Sequence, residues 1–308
     1  MQRILVTGAT GFIGQALVSF LAARGDTAVT ILIREAYSQP DLHPLPLSLQ
    51  AIRPQLGVVY ADLRNFRQTV RAVREAEPSH VVHLAARGAT EPFLGLDTAV
   101  RHNLYGTLNL VRACFEKSQT VRQLITARTP GELSSMNVYA ASKAAAWNFC
   151  EMYGRTQQWP IHAATIFQAY GPGQTERNII PAATLAALAG EDFPMSSGRQ
   201  KRDWIYIDDV CAGLDAMLDA DLPPAATVDL GSGVLTCVVD VVEQIYEMVG
   251  GNGRPRPGLL PDRPGEAPVQ AADAARAKEM IGWRTAVHLP EGLRQTILHV
   301  SRLHASQS

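Results

Sequence analysis

The chain has 308 residues, 46% of them apolar, and a formal net charge of −1. That length is enough for one large domain or two unequal ones around a substantial core. The near-neutral charge excludes a global basic field for nucleic acid and a polybasic tail for anionic lipid. No run approaches the roughly 18 apolar residues of a membrane span, and the first apolar run is broken by Thr7 and Gly8, unlike a signal peptide. Four widely separated cysteines (Cys114, Cys150, Cys211, Cys237) with no CxxC predict reduced thiols in a cytoplasmic enzyme, with neither disulfides nor a metal site.

The first predicted element is a buried strand over Ile4–Thr7, running into a turn with glycines at 8, 11 and 14 and then a helix with Ala16, Leu17, Phe20 and Leu21 on one face. A glycine-rich strand-to-helix turn lets the backbone approach a pyrophosphate, which the N–H groups and dipole of the helix then hold. Strands follow at Thr27–Ile33, Gly57–Tyr60, Val81–Ala85, Gln123–Thr126 and Ile161–Phe167, with helices around 66–76, 97–117 and 139–155 between them. Continuous apolar strands alternating with helices predict a Rossmann-type, doubly wound α/β fold with a parallel sheet over residues 1–170. Beyond 171 the alternation stops and Pro and Gly become frequent. Residues 171–308 are expected to form a smaller mixed α/β substrate lobe, with a strand near 228–230 returning to the main domain.

Tyr139 and Lys143 form a YxxxK pair inside an alanine-rich helical run, so their side chains share one helix face. A free tyrosine, with a pKa near 10, is a poor acid or base at neutral pH. A neighbouring ammonium and a nicotinamide cation are expected to stabilise its phenolate, letting it exchange a proton with a substrate hydroxyl while a hydride moves. His83, on an apolar strand, is expected to be a packed core residue.

With these motifs in order, the chain resembles the extended short-chain dehydrogenase/reductases of the NAD-dependent epimerase/dehydratase type, which modify nucleotide sugars. Thr7-Gly8-Ala9-Thr10-Gly11-Phe12-Ile13-Gly14 resembles their cofactor fingerprint, Ala61-Asp62-Leu63 the acidic position at the adenine, Val82-His83-Leu84-Ala85-Ala86 the strand and turn beside the cofactor, and Asn103-Leu104-Tyr105-Gly106-Thr107 their NxxGT helix start. Tyr170-Gly171-Pro172-Gly173, the run Arg202–Asp209, Gly231-Ser232-Gly233 and Gly282-Trp283 resemble later landmarks. The resemblance implies a cofactor held by Gly8, Thr10, Gly11, Phe12, Ile13, Asp62, Leu63, Leu84, Ala85, Ala86, Asn103, Tyr139 and Lys143. It implies a nucleotide-sugar substrate bound through Gln168 and through Arg202 and Arg263 on the diphosphate, where paired guanidinium forks suit a pyrophosphate. It also implies a homodimer packing the helices around 97–117 and 139–155, with Ala140, Ala141, Ala144 and Ala145 suited to close approach. Asp208 and Asp209 are expected to turn and cap the next helix.

A third catalytic residue, a Ser or Thr after the fifth strand, is implied as well. Thr129 matches the Thr-x-Glu-Leu pattern if one extra residue is allowed before Glu132-Leu133, and Thr126 competes with it; Thr129 is preferred. Arg34, at the end of the second strand, offers a fork to a 2′-phosphate where an acidic residue would favour a ribose diol. NADP(H) is therefore expected, with NAD(H) the alternative. Gln168 stands where relatives have Asn, Thr165 where they have Arg, and Trp147 where they have Glu. The acidic pair of the 4,6-dehydratases is reduced to Glu132 behind Pro130 and Gly131. The expected activity is reduction of a keto-sugar, a 4-keto-deoxyhexose, on a nucleoside diphosphate. A 4-epimerase is the alternative, followed by a dehydratase and a non-catalytic cofactor-binding protein.

Overall fold

The computed structural model describes all residues except Thr90, Pro92, Phe93 and Ser308. The chain divides into two compact units, residues 1–165 with 214–228 and residues 166–213 with 229–308. In chain order the first stretch carries β1 (Gln2–Thr7), α1 (Phe12–Ala22), β2 (Thr27–Ile33), α2 (Leu47–Ala51), β3 (Gly57–Tyr60), α3 (Phe66–Ala76) and β4 (His80–His83). It continues with α4 (Leu96–Ala99), α5 (Gly106–Phe115), β5 (Gln123–Arg128), α6 (Val138–Gln157) and β6 (Ile161–Ile166). Next come β7 (Gln168–Tyr170), α7 (Ile179–Leu188), β8 (Phe193–Met195), β9 (Lys201–Tyr206), α8 (Ile207–Asp219) and β10 (Thr227–Leu230). The chain ends with β11 (Leu235–Cys237), α9 (Val238–Val249), β12 (Pro255–Pro257), β13 (Val269–Gln270), α10 (Ala274–Ile281) and α11 (Leu289–Gln307).

Among the described residues the main sheet has seven strands in the order β10-β6-β5-β4-β1-β2-β3, and β1 to β6 pair in parallel. The order doubles back at β1 and β4, and in such folds ligands bind beyond the carboxyl ends of the strands at this switch point. The central strands are largely buried, β6 along its whole length, because both faces of the sheet are covered. On one face Leu5, Val81, Leu124 and Ile161 pack with Val73 of α3, Leu110 and Val111 of α5, and Trp147 and Cys150 of α6. Each of these aliphatic side chains contributes about 1.5–3 kcal/mol by leaving water. Within the second unit β11, β9 and β13 form a sheet to which β7 adds through β9. No helix among the described residues is long and apolar enough to cross a membrane.

Two glycines shape the turn after β1. Gly8 has φ 73°, and a Cβ there would lie 2.6 Å from the backbone of Leu84 and Ala85. At Gly14 a Cβ would lie 2.1 Å from the Gly8 carbonyl. The first contact lets the turn lie on the β4 extension; the second lets α1 rise directly from the turn.

The helix expected over 97–117 is broken by a π-turn over Val100–Tyr105. The extra residue turns Asn103 inward, where its side chain bonds the backbone of Arg87 and the hydroxyl of Ser142. Such turns recur where a helix must present one side chain. A second difference concerns Asp209: its carboxylate accepts from the N–H groups of Ala286 and Val287 at 2.8 and 3.0 Å, anchoring that segment instead of capping α8.

Candidate active site

The carboxyl ends of β1 to β4 surround a cleft of about 300 Å³ lined by residues 7–11, 32–34, 61–64 and 84–87, together with Tyr37 and His102. Gly8, Thr10, Gly11, Arg34, Asp62, Leu63, Leu84, Ala85 and Ala86 thus share one cavity. Gly11 is the N-cap of α1 and makes no side-chain cap, so the first-turn N–H groups, those of Phe12 and Ile13 among them, remain open to an anion. The open N–H groups of this glycine-lined turn suit a pyrophosphate, and Arg34, Tyr37 and Asp62 line the cleft beside the β2 and β3 ends.

That end of the cleft is more cationic than the sequence motifs alone indicate. Asp62 is clasped by Arg64, which donates from Nε at 3.0 Å and from Nη2 at 2.5 Å. This pairing holds the Asp62 carboxyl below the usual range. Burial lowers the pKa of His102, and the positive charges of Arg64, Arg87 and Arg34 add to the effect. Arg64, Arg87 and His102 are site residues that motif reading passed over. The one signal available was position, since Arg64 follows the Asp62-Leu63 landmark and His102 precedes Asn103.

Tyr139 opens α6, whose N-cap Asn137 accepts from the N–H of Ala140 at 2.8 Å. Lys143 lies one turn on, buried, with its Nζ donating to the Ala127 carbonyl at 2.5 Å. Burial pushes the Tyr139 phenol up to about 12, and the Glu132 carboxylate adds to the rise. The expected depression calls on a nicotinamide cation as well as on Lys143; in the protein alone, desolvation of the phenolate dominates. Burial likewise lowers the Lys143 pKa, against the pull of Glu132.

A buried hydrogen-bonded series ties this helix to the glycine turn. The N–H of Ala85 donates to Thr7 Oγ1 (3.3 Å), which meets His83 Nδ1 at 2.7 Å. His83 Nε2 meets Thr107 Oγ1 at 2.9 Å, and that hydroxyl donates to the Asn103 carbonyl at 2.6 Å. Asn103 Nδ2 donates to Ser142 Oγ, which donates to the Tyr139 carbonyl at 2.7 Å. His83 is 1% exposed, and burial lowers its pKa to about 3. It is a neutral, doubly bonded core residue.

The two candidate hydroxyls lie on β5 and in the turn that follows it. Thr126 is buried on β5. Thr129 is half-buried and is the N-cap of a short 3₁₀ turn, accepting from the N–H of Gly131 at 3.5 Å. Glu132 completes the capping box: Oε1 accepts from the N–H of Thr129 at 2.9 Å, and Oε2 accepts from Arg128 Nε at 2.8 Å. Its side chain is 0% exposed. The Arg128 guanidinium also lies over the Trp147 ring, 5.1 Å from the centroid.

The remaining predicted residues belong to the second unit. Gln168 is half-buried at the start of β7. Arg202 is buried on β9 and ion-paired with Glu266, and Arg263 is exposed.

The fold, the glycine turn and the cleft define an α/β enzyme that binds a dinucleotide. Residues 4–231 match the NAD dependent epimerase/dehydratase family, and the chain belongs to that family of extended short-chain dehydrogenase/reductases. It is 27% identical to a dTDP-glucose 4,6-dehydratase of Neisseria gonorrhoeae, over 96% of this chain and 94% of that one. It is 28% identical to a UDP-glucose 4-epimerase of Mycolicibacterium smegmatis, over 96% and 97%. Among solved structures, the Thermus thermophilus UDP-glucose 4-epimerase in complex with NAD superposes with a TM-score of 0.81 at 26% identity, covering 97% of this chain and 99% of that one.

Proposed function

We propose that the protein moves a hydride to and from C4 of a sugar carried on a nucleoside diphosphate, and that the net reaction is 4-epimerisation with bound NAD. The observation that carries this reading over dehydration is the state of Glu132. A 4,6-dehydratase needs a carboxylate free to take a proton from the sugar. Here both Glu132 oxygens are engaged and none of the side chain reaches solvent. The UDP-glucose 4-epimerase relative and the NAD of the Thermus complex accord with C4 hydride transfer, as do the 4,6-dehydratase relatives, so the choice between the two rests on Glu132.

In this reading the Tyr139 phenol oxygen takes the proton of the C4 hydroxyl and returns it after the sugar has presented its other face. Lys143, fixed by the Ala127 carbonyl, holds positive charge beside that proton. Thr129 is preferred as the orienting hydroxyl because it is accessible and, while accepting from Gly131, keeps its own proton to donate. A bound oxidised nicotinamide would supply the hydride acceptor and donor, and a positive charge that favours the Tyr139 phenolate. Arg202 and Arg263 are the residues for the diphosphate. A homodimer through α6 and the π-turn accords with exposed Phe149, Met152 and Tyr105.

A second reading, reduction of a 4-keto sugar with NADPH, is favoured by Arg34 at the end of β2, whose fork suits a 2′-phosphate. One experiment separates the two. The cofactor carried by purified protein is identified, and UDP-glucose, UDP-glucuronic acid and dTDP-glucose are followed by NMR with no cofactor added. Retained NAD and a C4-inverted product support the epimerase. Loss of the C6 oxygen overturns it, as does absence of C4 inversion together with reduction of dTDP-4-keto-6-deoxyglucose, supplied separately with stoichiometric NADPH, that Arg34→Asp abolishes.

A further inference from the structure

Arg202 is held from two sides. Its Nη1 donates to the carbonyls of Lys201 and Ala267 at 2.9 and 3.0 Å, which fixes the plane of the guanidinium. Its Nη2 donates to Glu266 Oε1 at 2.6 Å, and the two side chains are 6% and 18% exposed. Nearby carboxylates have other work. Asp203, 0% exposed, accepts from the N–H groups of Ser232, Gly233 and Ala272 and from the Ser232 hydroxyl. Asp262 accepts from the N–H and hydroxyl of Ser197. Among the described residues, Glu266 is the anion paired with Arg202.

We propose that the Glu266 carboxylate stands in for the substrate diphosphate on Arg202, so that a nucleoside diphosphate must displace it to bind. The inference rests on the reading that Arg202 takes the diphosphate. A carboxylate oxygen and a phosphate oxygen are alternative acceptors for the same charged N–H, here Nη2 of Arg202. A buried guanidinium without an anion is costly, so Glu266 compensates Arg202 between substrates. A diphosphate outcompetes it by carrying more charge, while Glu266 returns to water. Glu266 therefore weakens diphosphate binding, and removing its charge strengthens it.

The test is calorimetric titration of the full chain with UDP and dTDP, and with uridine and thymidine as controls. Glu266→Gln keeps an acceptor for Nη2 but removes the charge. It is expected to bind the diphosphates about tenfold tighter than the parent, with nucleoside binding unchanged. Glu266→Asp, which withdraws the carboxylate by one methylene, is expected to give a smaller gain. Adding Arg202→Gln to Glu266→Gln should abolish the gain. Equal or weaker diphosphate binding by Glu266→Gln overturns the inference and makes Glu266 a residue that positions Arg202. So does a gain that survives loss of Arg202. No hydride moves in these titrations, so failure of the epimerase reading leaves this result intact, and the reverse holds equally.

Discussion

Asn103 of the π-turn donates to the hydroxyl of Ser142 on the tyrosine helix at 2.9 Å. The same amide donates to the Arg87 carbonyl and accepts from the Arg87 N–H, at 2.9 and 2.8 Å. One buried side chain thus sets the turn after β4 and the helix of Tyr139 in a fixed relation. Asn103→Ala leaves these backbone groups without their partner and should lower the unfolding free energy by about 2 kcal/mol. Because it also loosens Tyr139, kcat should fall more than tenfold, roughly, with little change in KM. Parallel urea titrations and steady-state kinetics check this. An unchanged kcat would separate the polar network from catalysis.

Glu132 raises the Tyr139 pKa, so removing its charge must lower it. Since the phenolate is the form that takes the C4 proton, Glu132→Gln should move the ascending limb of kcat/KM to lower pH. The substitution also unpairs Arg128 and should cost stability, by about 3 kcal/mol. The pH profile is therefore recorded at a temperature where the variant is folded. A limb that stays in place would mean that another group controls the rate.

His83 and His162 are buried and neutral, with pKa values lowered by burial to about 3 and about 4 from 6.5. In the unfolded chain both titrate near 6.5, so their contribution is complete above that pH. As pH falls below 6.5 the unfolded state takes up protons that the folded state refuses. Stability should then decline by about 1.4 kcal/mol per pH unit for each imidazole, down to pH 4. Urea unfolding at pH 7, 6 and 5 measures the slope, and a flat profile would contradict the assignment.

Phe149 and Met152 on α6 are 46% and 39% exposed, and Tyr105 on the π-turn is 55% exposed. If this surface pairs with a second copy, Phe149→Arg should give a monomer in sedimentation velocity. A persisting dimer would exclude this face.

Local features carried the sequence reading furthest. The strand and glycines of residues 4–14 and the Tyr139/Lys143 spacing are short-range patterns, and the cleft and α6 follow from them. What the motifs could not reveal depends on contacts made far along the chain. Nothing near Arg202 announces Glu266, 64 residues later, as its partner. Glu132 resembles a catalytic carboxylate until its two bonds, to Thr129 and Arg128, are known. The π-turn was hidden because a helix with one extra residue keeps nearly the same apolar pattern, and only the inward direction of Asn103 reveals it.

The threonine–histidine series also has a polarity. Thr107 gives its proton to the Asn103 carbonyl, so the ring must donate from Nε2 and leave Nδ1 bare for the hydroxyl of Thr7. Every donor then points from the glycine turn toward α6, and the last one ends on a peptide carbonyl, away from the phenol. A series with one tautomer and a closed end passes no proton. It works as a strut, bracing the tyrosine helix against the nucleotide turn while insulating the chemistry from the core it crosses.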